Sequence, residues 1–320
     1  MITIDVGNES DKNWNSRLLE SEYGTIYQTK EWSKNLKNIG QNPIFLRFYE
    51  NNEIVAQLLV SEAKRFTKKG LVGSVLRNLP SRKIILTWSY GPIIFKSKLN
   101  SSVYMALEKF LLSKKCKIFG SQHPLSVYNV SYLKHLKTKQ WGTFLINLNQ
   151  PKKEIYEKID KHSGRKNIER AMKRGVIIEE ITENNLQDYV NLFNISNESM
   201  GREKTTIENM LKWWKLFTPL GYSGFLAKKD DKILSGMFFS YLGKFIIEGG
   251  IIRSDEDKKN NLYSQDLIKW KIIEWGIDNK MNFYNLAGFN PNPISEKEKG
   301  ILRYKKKWGG KKVDYWIIRK

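Results

Sequence analysis

Cysteine, histidine and proline are scarce in this chain of 320 residues, which contains one Cys, three His and eight Pro. The single cysteine, Cys116, excludes a disulfide within the chain, and three histidines leave no apparent cluster of metal ligands. Cys116 stands near the apolar pair Ile118 and Phe119, which favours a core position over a nucleophilic one. We also expect His123 and His162 to be incidental, so no metal and no cofactor is predicted.

Long hydrophobic runs are also missing. The longest, FLLSKK from Phe110 and MFFSYLGKFII from Met237, are too short or too interrupted to span a bilayer. The N-terminal MITIDVGNESDKNWN turns polar and acidic after four residues, unlike a signal peptide. We therefore expect a soluble protein of a reducing compartment, the cytoplasm. Peripheral contact of a basic surface with the inner face of an anionic membrane stays open.

Acidic residues are outnumbered, with 33 Asp and Glu against 55 Lys and Arg and a formal net charge of +22. An excess of this size indicates a polyanionic partner: nucleic acid, an anionic membrane surface or a phosphate-bearing substrate. The hydrophobic fraction of 40%, with 10 Trp, 15 Tyr and 15 Phe, is ample for a folded core and argues against intrinsic disorder. The length suits two domains.

Much of the basic charge lies in residues 151–175, which the sequence predicts to be one amphipathic helix near the middle of the chain. A proline at its start and a glycine at its end suit helix termini, and Gly164 indicates a kink. The apolar positions that recur at helical intervals are Ile155, Ile159, Ile168 and Met172. The basic positions are Lys158, Lys161, Arg165, Lys166, Arg170, Lys173 and Arg174. The alternative to a binding surface is a solvated helix face.

The segments on either side of this helix show the same order of predicted elements. In the first, a hairpin over residues 42–63 and a basic loop over 65–83 precede an extended Gly-x-Ile-Ile stretch at 91–94, a helix and a strand. In the second, a hairpin over residues 222–242 and a Gly-x-Ile-Ile stretch at 249–252 precede a helix and a strand. An internal duplication explains this agreement, and two unrelated α/β patterns are the alternative.

This order of hairpin, strand, helix and strand is the skeleton of the acetyltransferase (GNAT) fold. We predict a mixed α/β protein of two tandem GNAT-like domains, each a twisted mixed sheet flanked by helices. The domains are expected over 1–150 and 151–320, the second entered through the basic helix. When coenzyme A is the donor, a glycine-rich turn normally cradles its pyrophosphate. The equivalent turns here, FKSKLNSS and RSDEDKKNNLYS, lack closely spaced glycines, and the second carries three acids, so such a donor is disfavoured.

Several short motifs occur in order along the chain. They are Tyr27-Gln28-Thr29 with Trp32, Gly91-Pro92, Thr143-Phe144-Leu145-Ile146, Arg165 with Asn167-Ile168, Arg170-Ala171 and Lys173, and Arg303-Tyr304-Lys305 followed by Trp308-Gly309-Gly310. This ordered set resembles the Fem transferases (FemA, FemB, FemX). Those two-domain enzymes move an amino acid from aminoacyl-tRNA onto the stem peptide of a peptidoglycan precursor. Glu169 and Asn285-Leu286-Ala287-Gly288 depart from the family's pattern, and the missing coiled-coil arm makes the chain more similar to FemX.

The resemblance implies roles for individual residues. Lys305, held by Tyr304 and Trp308, is the expected catalytic residue, whose ammonium stabilises the oxyanion formed on an aminoacyl ester; a surface lysine is the alternative. Residues at the substrate-binding edge are expected to be Trp32, Lys34 and Lys37, with Arg202 as the nearest counterpart of a loop arginine, although Trp32 equally suits a core. Tyr304 and Trp308, beside Lys305, are also expected to bind substrate. The expected tRNA-binding residues are Lys161, Arg165, Lys166, Arg170, Lys173, Arg174, Lys306 and Lys307.

The resulting prediction is a monomeric aminoacyltransferase that forms an amide between an amino acid carried by aminoacyl-tRNA and an amine of an anionic cell-envelope precursor. No histidine or carboxylate pair stands out as a general base, which leaves deprotonation to the substrate or to water. One alternative is an N-acyltransferase of the same fold that uses an acyl-coenzyme A donor. Another is a non-catalytic RNA-binding module, which needs only the basic surface.

Overall fold

A computed structural model describes residues 1–21, 23–64, 84–126, 130 and 133–320, and the basic loop predicted over 65–83 lies outside these residues. The chain divides into two compact units. The first consists of Met1–Gly142 and Asp314–Lys320, and the second of Thr143–Val313. No helix formed by the described residues has the length and hydrophobicity needed to cross a bilayer.

The described residues of the first unit form a sheet and three α-helices. Its strands and helices are β1 Thr3–Gly7, α1 Trp14–Glu20, α2 Lys30–Asn38, β2 Asn42–Glu50, β3 Glu53–Lys64, β4 Ile84–Trp88, β5 Ile93–Ile94, α3 Asn100–Ser113 and β6 Lys117–Ser121. The predicted β2–β3 hairpin is confirmed, and its turn residues Asn51 and Asn52 have φ values of 50° and 63°. Asparagine tolerates this left-handed conformation, which a two-residue hairpin turn requires. β4 and β6 are parallel, with α3 between them in the chain.

The second unit repeats this plan. Its elements are β7 Lys137–Asn147, α4 Lys152–Lys158, α5 Lys166–Lys173, β8 Ile177–Glu180, α6 Leu186–Ser199, α7 Ile207–Gly221, β9 Tyr222–Lys229, β10 Lys232–Leu242, β11 Phe245–Arg253, α8 Asp255–Lys259, α9 Ser264–Asp278, β12 Phe283–Asn285 and α10 Glu296–Lys306. The predicted β9–β10 hairpin turns at Asp230 and Asp231, with φ values of 47° and 60°. β11 and β12 are parallel, with α9 between them in the chain. The repeated order predicted from the sequence is therefore confirmed.

The sheet of the second unit, in the order β7-β12-β11-β10-β9-β8, carries helices on both faces. Successive side chains of a strand point to opposite faces. Met237 and Phe239 of β10 accordingly pack in a core with Ile268 and Ile272 of α9. Phe238 joins the core formed with α6 and α7. This arrangement matches the predicted mixed sheet flanked by helices.

Two strands cross the boundary between the units, which differs from the predicted division at residue 150. β7 begins in the first unit, and its last residues pair with β12 in the second. The final strand, β13 (Lys311–Arg319), ends in the first unit, where residues 317–319 pair with residues 119–121 of β6. The C-terminal strand was predicted to belong to the second domain. This backbone pairing instead makes it part of the first unit's sheet.

The basic segment 151–175 is not one helix, as the sequence predicts, but α4 and α5 separated by a π-helical turn, Lys161–Arg165. The chain becomes extended at Ile159 and Asp160, whose ψ angles are 135° and 128°. The Asp160 carboxylate then accepts the backbone N–H groups of His162 and Ser163, which starts the next turn. The break thus precedes the predicted kink. Met172, expected in the buried stripe, is 53% exposed.

Candidate active site in the second unit

In the second unit, the parallel strands β11 and β12 diverge after a short stretch of pairing. The two strands pair over only three residues, from Phe245 opposite Phe283 to Ile247 opposite Asn285. β12 then ends, whereas β11 continues through an irregularity in which Gly249 and Gly250 face the single residue Phe238 of β10. A side chain at Gly249 would lie 2.3 Å from the Phe238 carbonyl oxygen, so this bulge requires glycine. In the GNAT fold, an acyl donor docks where these central strands diverge.

Lys305 projects from α10 to the end of β12. Only 8% of the residue is exposed, so the alternative of a surface lysine is wrong. Its ammonium donates a hydrogen bond to the carbonyl oxygen of Leu286, the residue that follows β12. The same ammonium lies 3.9 Å from a carboxylate oxygen of Glu248 on β11. Lys305 is therefore held at the divergence of the two strands.

Glu248 is the centre of a buried ionic cluster. One of its carboxylate oxygens lies 2.6 Å from the ammonium of Lys269 on α9 and accepts the Tyr284 hydroxyl at 2.8 Å. The Glu248 side chain is 9% exposed and that of Lys269 is 1% exposed. Sequence reasoning missed both residues. The available signal for Lys269 was its position between the apolar residues Ile268 and Trp270 in the stretch LIKWKIIEW of α9.

The electrostatic setting of Lys305 makes it an unusual lysine. Burial lowers the pKa of its ammonium to about 8, because removal from water disfavours the charged form. Glu248 raises this pKa and the like charge of Lys269 lowers it. Lys305 is consequently still largely protonated at neutral pH. A buried cation of this kind can stabilise negative charge that develops beside it.

Lys307, two residues further along the chain, is also turned inward. Its ammonium lies 2.7 Å from the Asp266 carboxylate and donates to the Ser163 carbonyl at 2.9 Å. Asp266 is 1% exposed and also accepts the Asn167 side-chain amide at 2.8 Å. Burial lowers the pKa of Lys307, and Asp266 opposes this effect. The Lys307 ammonium, which the sequence places at a tRNA surface, is thus engaged inside the second unit.

The N-terminus of α9 already holds an internal carboxylate. Asp257, which is fully buried, accepts the backbone N–H of Ser264 at 3.0 Å and lies 2.6 Å from Arg253. The Ser264 hydroxyl contacts that of Ser235 at 2.6 Å. A helix N-terminus of this kind is where a GNAT domain holds the pyrophosphate of coenzyme A. In this unit the Asp257 carboxylate is already hydrogen-bonded to the first N–H of α9.

Comparison with known proteins finds no matching family model and no matching curated protein. Among solved structures, FemX aligns with 98% of this chain and 96% of its own, with a TM-score of 0.69 and 12% identity. The chain has the fold of FemX. L-PGS from Bacillus licheniformis aligns with 98% of this chain and 93% of its own (TM-score 0.56, 12% identity). A tandem GNAT protein from the clavulanic acid biosynthesis pathway aligns with 100% and 98% (TM-score 0.53, 8% identity).

These comparisons confirm the predicted fold class of tandem GNAT-like domains and the likeness to FemX at the level of the fold. Within the FemX fold of this chain, α4, the π-helical turn and α10 line a groove of about 360 Å³. Its lining residues are Lys158, Asp160, Ser163, Arg303, Lys306 and Lys307. We call this the cationic groove. The sequence predicted Lys306 and Lys307 as tRNA-binding residues and placed Lys158 among the basic positions of the central segment, but it assigned no RNA contact to Lys158 or Arg303.

The other predicted tRNA-binding residues lie along the π-helical turn and α5. Lys161, Arg170, Lys173 and Arg174 are exposed, and Arg165 and Lys166 are half-buried. Arg165 donates to the Ile159 carbonyl at 3.1 Å, and Arg174 donates to the Asn260 carbonyl at 3.2 Å. These two guanidinium groups therefore also tie the basic segment to its surroundings. Their contact with RNA stays a prediction.

The predicted substrate-binding residues outside this cluster lie elsewhere in the fold. Trp32, Lys34 and Lys37 are on α2 of the first unit; Trp32 is half-buried, with its ring 4.8 Å from that of Tyr27, and both lysines are exposed. Arg202 is exposed in the loop between α6 and α7 of the second unit. These four assignments stay predictions. Within the described part of the chain, no group of three or more His, Cys, Asp and Glu is placed to hold a metal ion.

Proposed function

We propose that this protein is an acyltransferase that moves an amino acid from aminoacyl-tRNA onto an amine of an anionic cell-envelope precursor of the peptidoglycan type. The observation that carries the proposal is the buried Lys305 ammonium at the point where β11 and β12 separate. A protein that only bound RNA would not need a cation there. The cost of burying it is explained if negative charge forms beside it during a reaction.

The proposed reaction forms one amide bond and breaks one ester bond. The acceptor amine attacks the carbonyl carbon of the aminoacyl ester, and the Lys305 ammonium stabilises the oxyanion of the tetrahedral intermediate. The intermediate collapses as the ribose oxygen of the tRNA leaves. The proton lost by the amine reaches that oxygen through the substrate or through water, because Glu248 and Asp266 are already paired with lysines.

The internal aspartate at α9 supports a donor other than a coenzyme A thioester. An incoming diphosphate would meet the buried Asp257 carboxylate and the backbone N–H of Ser264 that Asp257 already occupies. Like charges repel, and displacement of Asp257 would remove both the acceptor of the Ser264 N–H and the carboxylate partner of Arg253. This unit therefore disfavours the docking mode that coenzyme A uses in the GNAT fold.

The cationic groove supports RNA as the carrier of the donor. Lys158, Arg303 and Lys306 supply three cations, whereas the one carboxylate of the lining, that of Asp160, accepts backbone N–H groups from the π-helical turn. Contacts between such cations and RNA phosphates release counterions, so the affinity for RNA should fall steeply as the salt concentration rises. We propose that the tRNA backbone lies in this groove.

The proposal is tested by incubating the protein with radiolabelled aminoacyl-tRNA and candidate cell-envelope precursors. We expect the natural protein to transfer label to the precursor. Lys305→Met should lower the rate 100-fold or more, which is the order seen for a lost oxyanion donor. Lys297→Met, which changes an exposed lysine on the same helix, should transfer at the natural rate. Transfer from acetyl-coenzyme A with none from charged tRNA would select the alternative N-acyltransferase. Salt-sensitive RNA binding without any transfer would select the RNA-binding alternative.

A further inference from the structure

We propose that Glu248 is a positioning residue which, together with Lys269, fixes the place and the charge of Lys305. This inference rests on the proposed function only for the role of Lys305 in transfer. The electrostatic relation among the three groups stands on their geometry in the second unit. It can be measured without any substrate.

The two oxygens of Glu248 have different neighbours. One lies 2.6 Å from the Lys269 ammonium and 2.8 Å from the Tyr284 hydroxyl. The other faces Lys305 at 3.9 Å, too far for a hydrogen bond but close enough for a strong charge interaction. The first oxygen therefore anchors the carboxylate, and the second is left to act on Lys305.

The Lys269 ammonium is held in position by aromatic rings. Its ammonium lies 4.6 Å from the centre of the Tyr304 ring and 5.3 Å from that of Trp308. Both distances are within the range of a cation–π interaction, which holds an ammonium over the face of an aromatic ring. Two aromatic side chains of the C-terminal motif thus retain Lys269 beside Glu248.

One carboxylate consequently serves two buried ammonium groups. Glu248 raises the pKa of Lys305, and Lys269, as a like charge, lowers it in addition to the effect of burial. The nearby Lys307 has its own carboxylate, Asp266. The charged and titratable groups of the cluster are Glu248 and Arg253 on β11, Asp266 and Lys269 on α9, Tyr284 on β12, Tyr304 and Lys305 on α10, and Lys307 directly after α10.

The arrangement predicts opposite effects for the removal of its two charges. Glu248→Gln should lower the titration midpoint of Lys305 by about one pH unit or more. This shift corresponds to about a tenfold larger ratio of neutral to charged Lys305 at a given pH. Lys269→Met should raise the midpoint by a similar amount, because Glu248 then faces Lys305 alone. A purely structural role for the two residues would not move the midpoint in opposite directions.

The test is an NMR titration of protein carrying ¹³C-labelled lysine, with the Lys305 signal assigned by its loss in Lys305→Arg. Midpoints that move down in Glu248→Gln and up in Lys269→Met support the inference. Midpoints that do not move, or that move in the same direction, overturn it. If Glu248→Gln fails to fold, two other variants still test the inference: Glu248→Asp, which keeps the charge, and Lys269→Met. The expected results are a midpoint near that of the natural protein for the first and a raised midpoint for the second.

A second readout separates this inference from the proposed function. If Lys305 acts as a cation in transfer, the rate should decline as the pH rises through about 8, and the decline should begin at lower pH in Glu248→Gln. Opposite NMR shifts in a protein that transfers nothing would refute the proposed function and leave the electrostatic inference standing. Transfer by a protein whose NMR midpoints do not move would refute the electrostatic inference and leave the proposed function standing.

Discussion

Replacing Lys305 with methionine should stabilise the protein while it slows transfer 100-fold or more. The pKa of Lys305 is about 8 in the folded protein, against 10.5 for an ordinary lysine. At about 1.4 kcal/mol per pH unit, holding this charge in the fold costs about 3 kcal/mol at pH 7. Methionine removes that cost, but it leaves the Leu286 carbonyl without its donor, which costs about 1 kcal/mol. The net expectation is a free energy of unfolding that is about 2 kcal/mol higher than in the natural protein.

The pH dependence gives this prediction its sign. Between pH 8 and 10.5 the unfolded chain keeps the lysine proton that the folded protein has already released. The natural protein therefore gains stability as the pH rises through this window, and the advantage of Lys305→Met should shrink to about 1 kcal/mol at pH 9. Urea unfolding of both proteins at pH 7 and pH 9 measures the difference. Lys297→Met, at an exposed site of the same helix, is the control and should change stability by no more than about 0.5 kcal/mol.

A Lys305→Met variant that is less stable than the natural protein at pH 7 would contradict this prediction. An advantage that stayed constant between pH 7 and pH 9 would also contradict it, because a simple gain in hydrophobic burial does not depend on the ionisation of the lysine. In either case, burial of the Lys305 ammonium would not cost the folded protein the free energy worked out above.

Three further predictions follow from other parts of the second unit. Gly309→Ala should lower the free energy of unfolding by more than about 1 kcal/mol, because φ at this position is 72° and the added carbon would lie 2.4 Å from the Lys158 carbonyl oxygen. Gly300→Ala, which adds a methyl group in open space within α10, should raise the free energy of unfolding by about 0.5 kcal/mol. Urea unfolding measures both changes. Asp257→Ala should cost about 2 kcal/mol, because it leaves the backbone N–H of Ser264 without its acceptor and removes the partner of Arg253, and the thermal midpoint should fall accordingly. Arg303→Ala should weaken binding of uncharged tRNA and reduce the slope of log affinity against log salt by about 1, measured by fluorescence anisotropy; an unchanged slope would place the RNA elsewhere.

The elements that the sequence predicts correctly are those whose signals are local. The hairpin turns at Asn51-Asn52 and Asp230-Asp231 use residues that tolerate positive φ between two strongly apolar strands. α10 was missed although Ser295 and Glu298 form a capping box, a local signal that marks its start. Gly300 in the middle of that segment hid the helical pattern.

What the sequence could not show depends on contacts between distant residues. Asp160 reads as an ordinary helix residue until its carboxylate is seen to accept the N–H groups that begin the next turn. The pairing of the C-terminal strand with β6 has no local signal, so the sequence assigns this strand to the second half of the chain, whereas its last residues pair within the first unit. Lys305 was selected through a motif, whereas Glu248 and Lys269, which surround it, lie far from it in the chain and belong to no motif.

The central claim is that the second unit transfers an acyl group from a tRNA ester and not from a thioester. The most direct measurement offers the protein one labelled amino acid as its tRNA ester and, separately, as its coenzyme A thioester, with the same cell-envelope acceptor and a ribonuclease-treated control. We expect label in the acceptor only with intact charged tRNA. Equal or faster transfer from the thioester, unaffected by ribonuclease, would contradict the account.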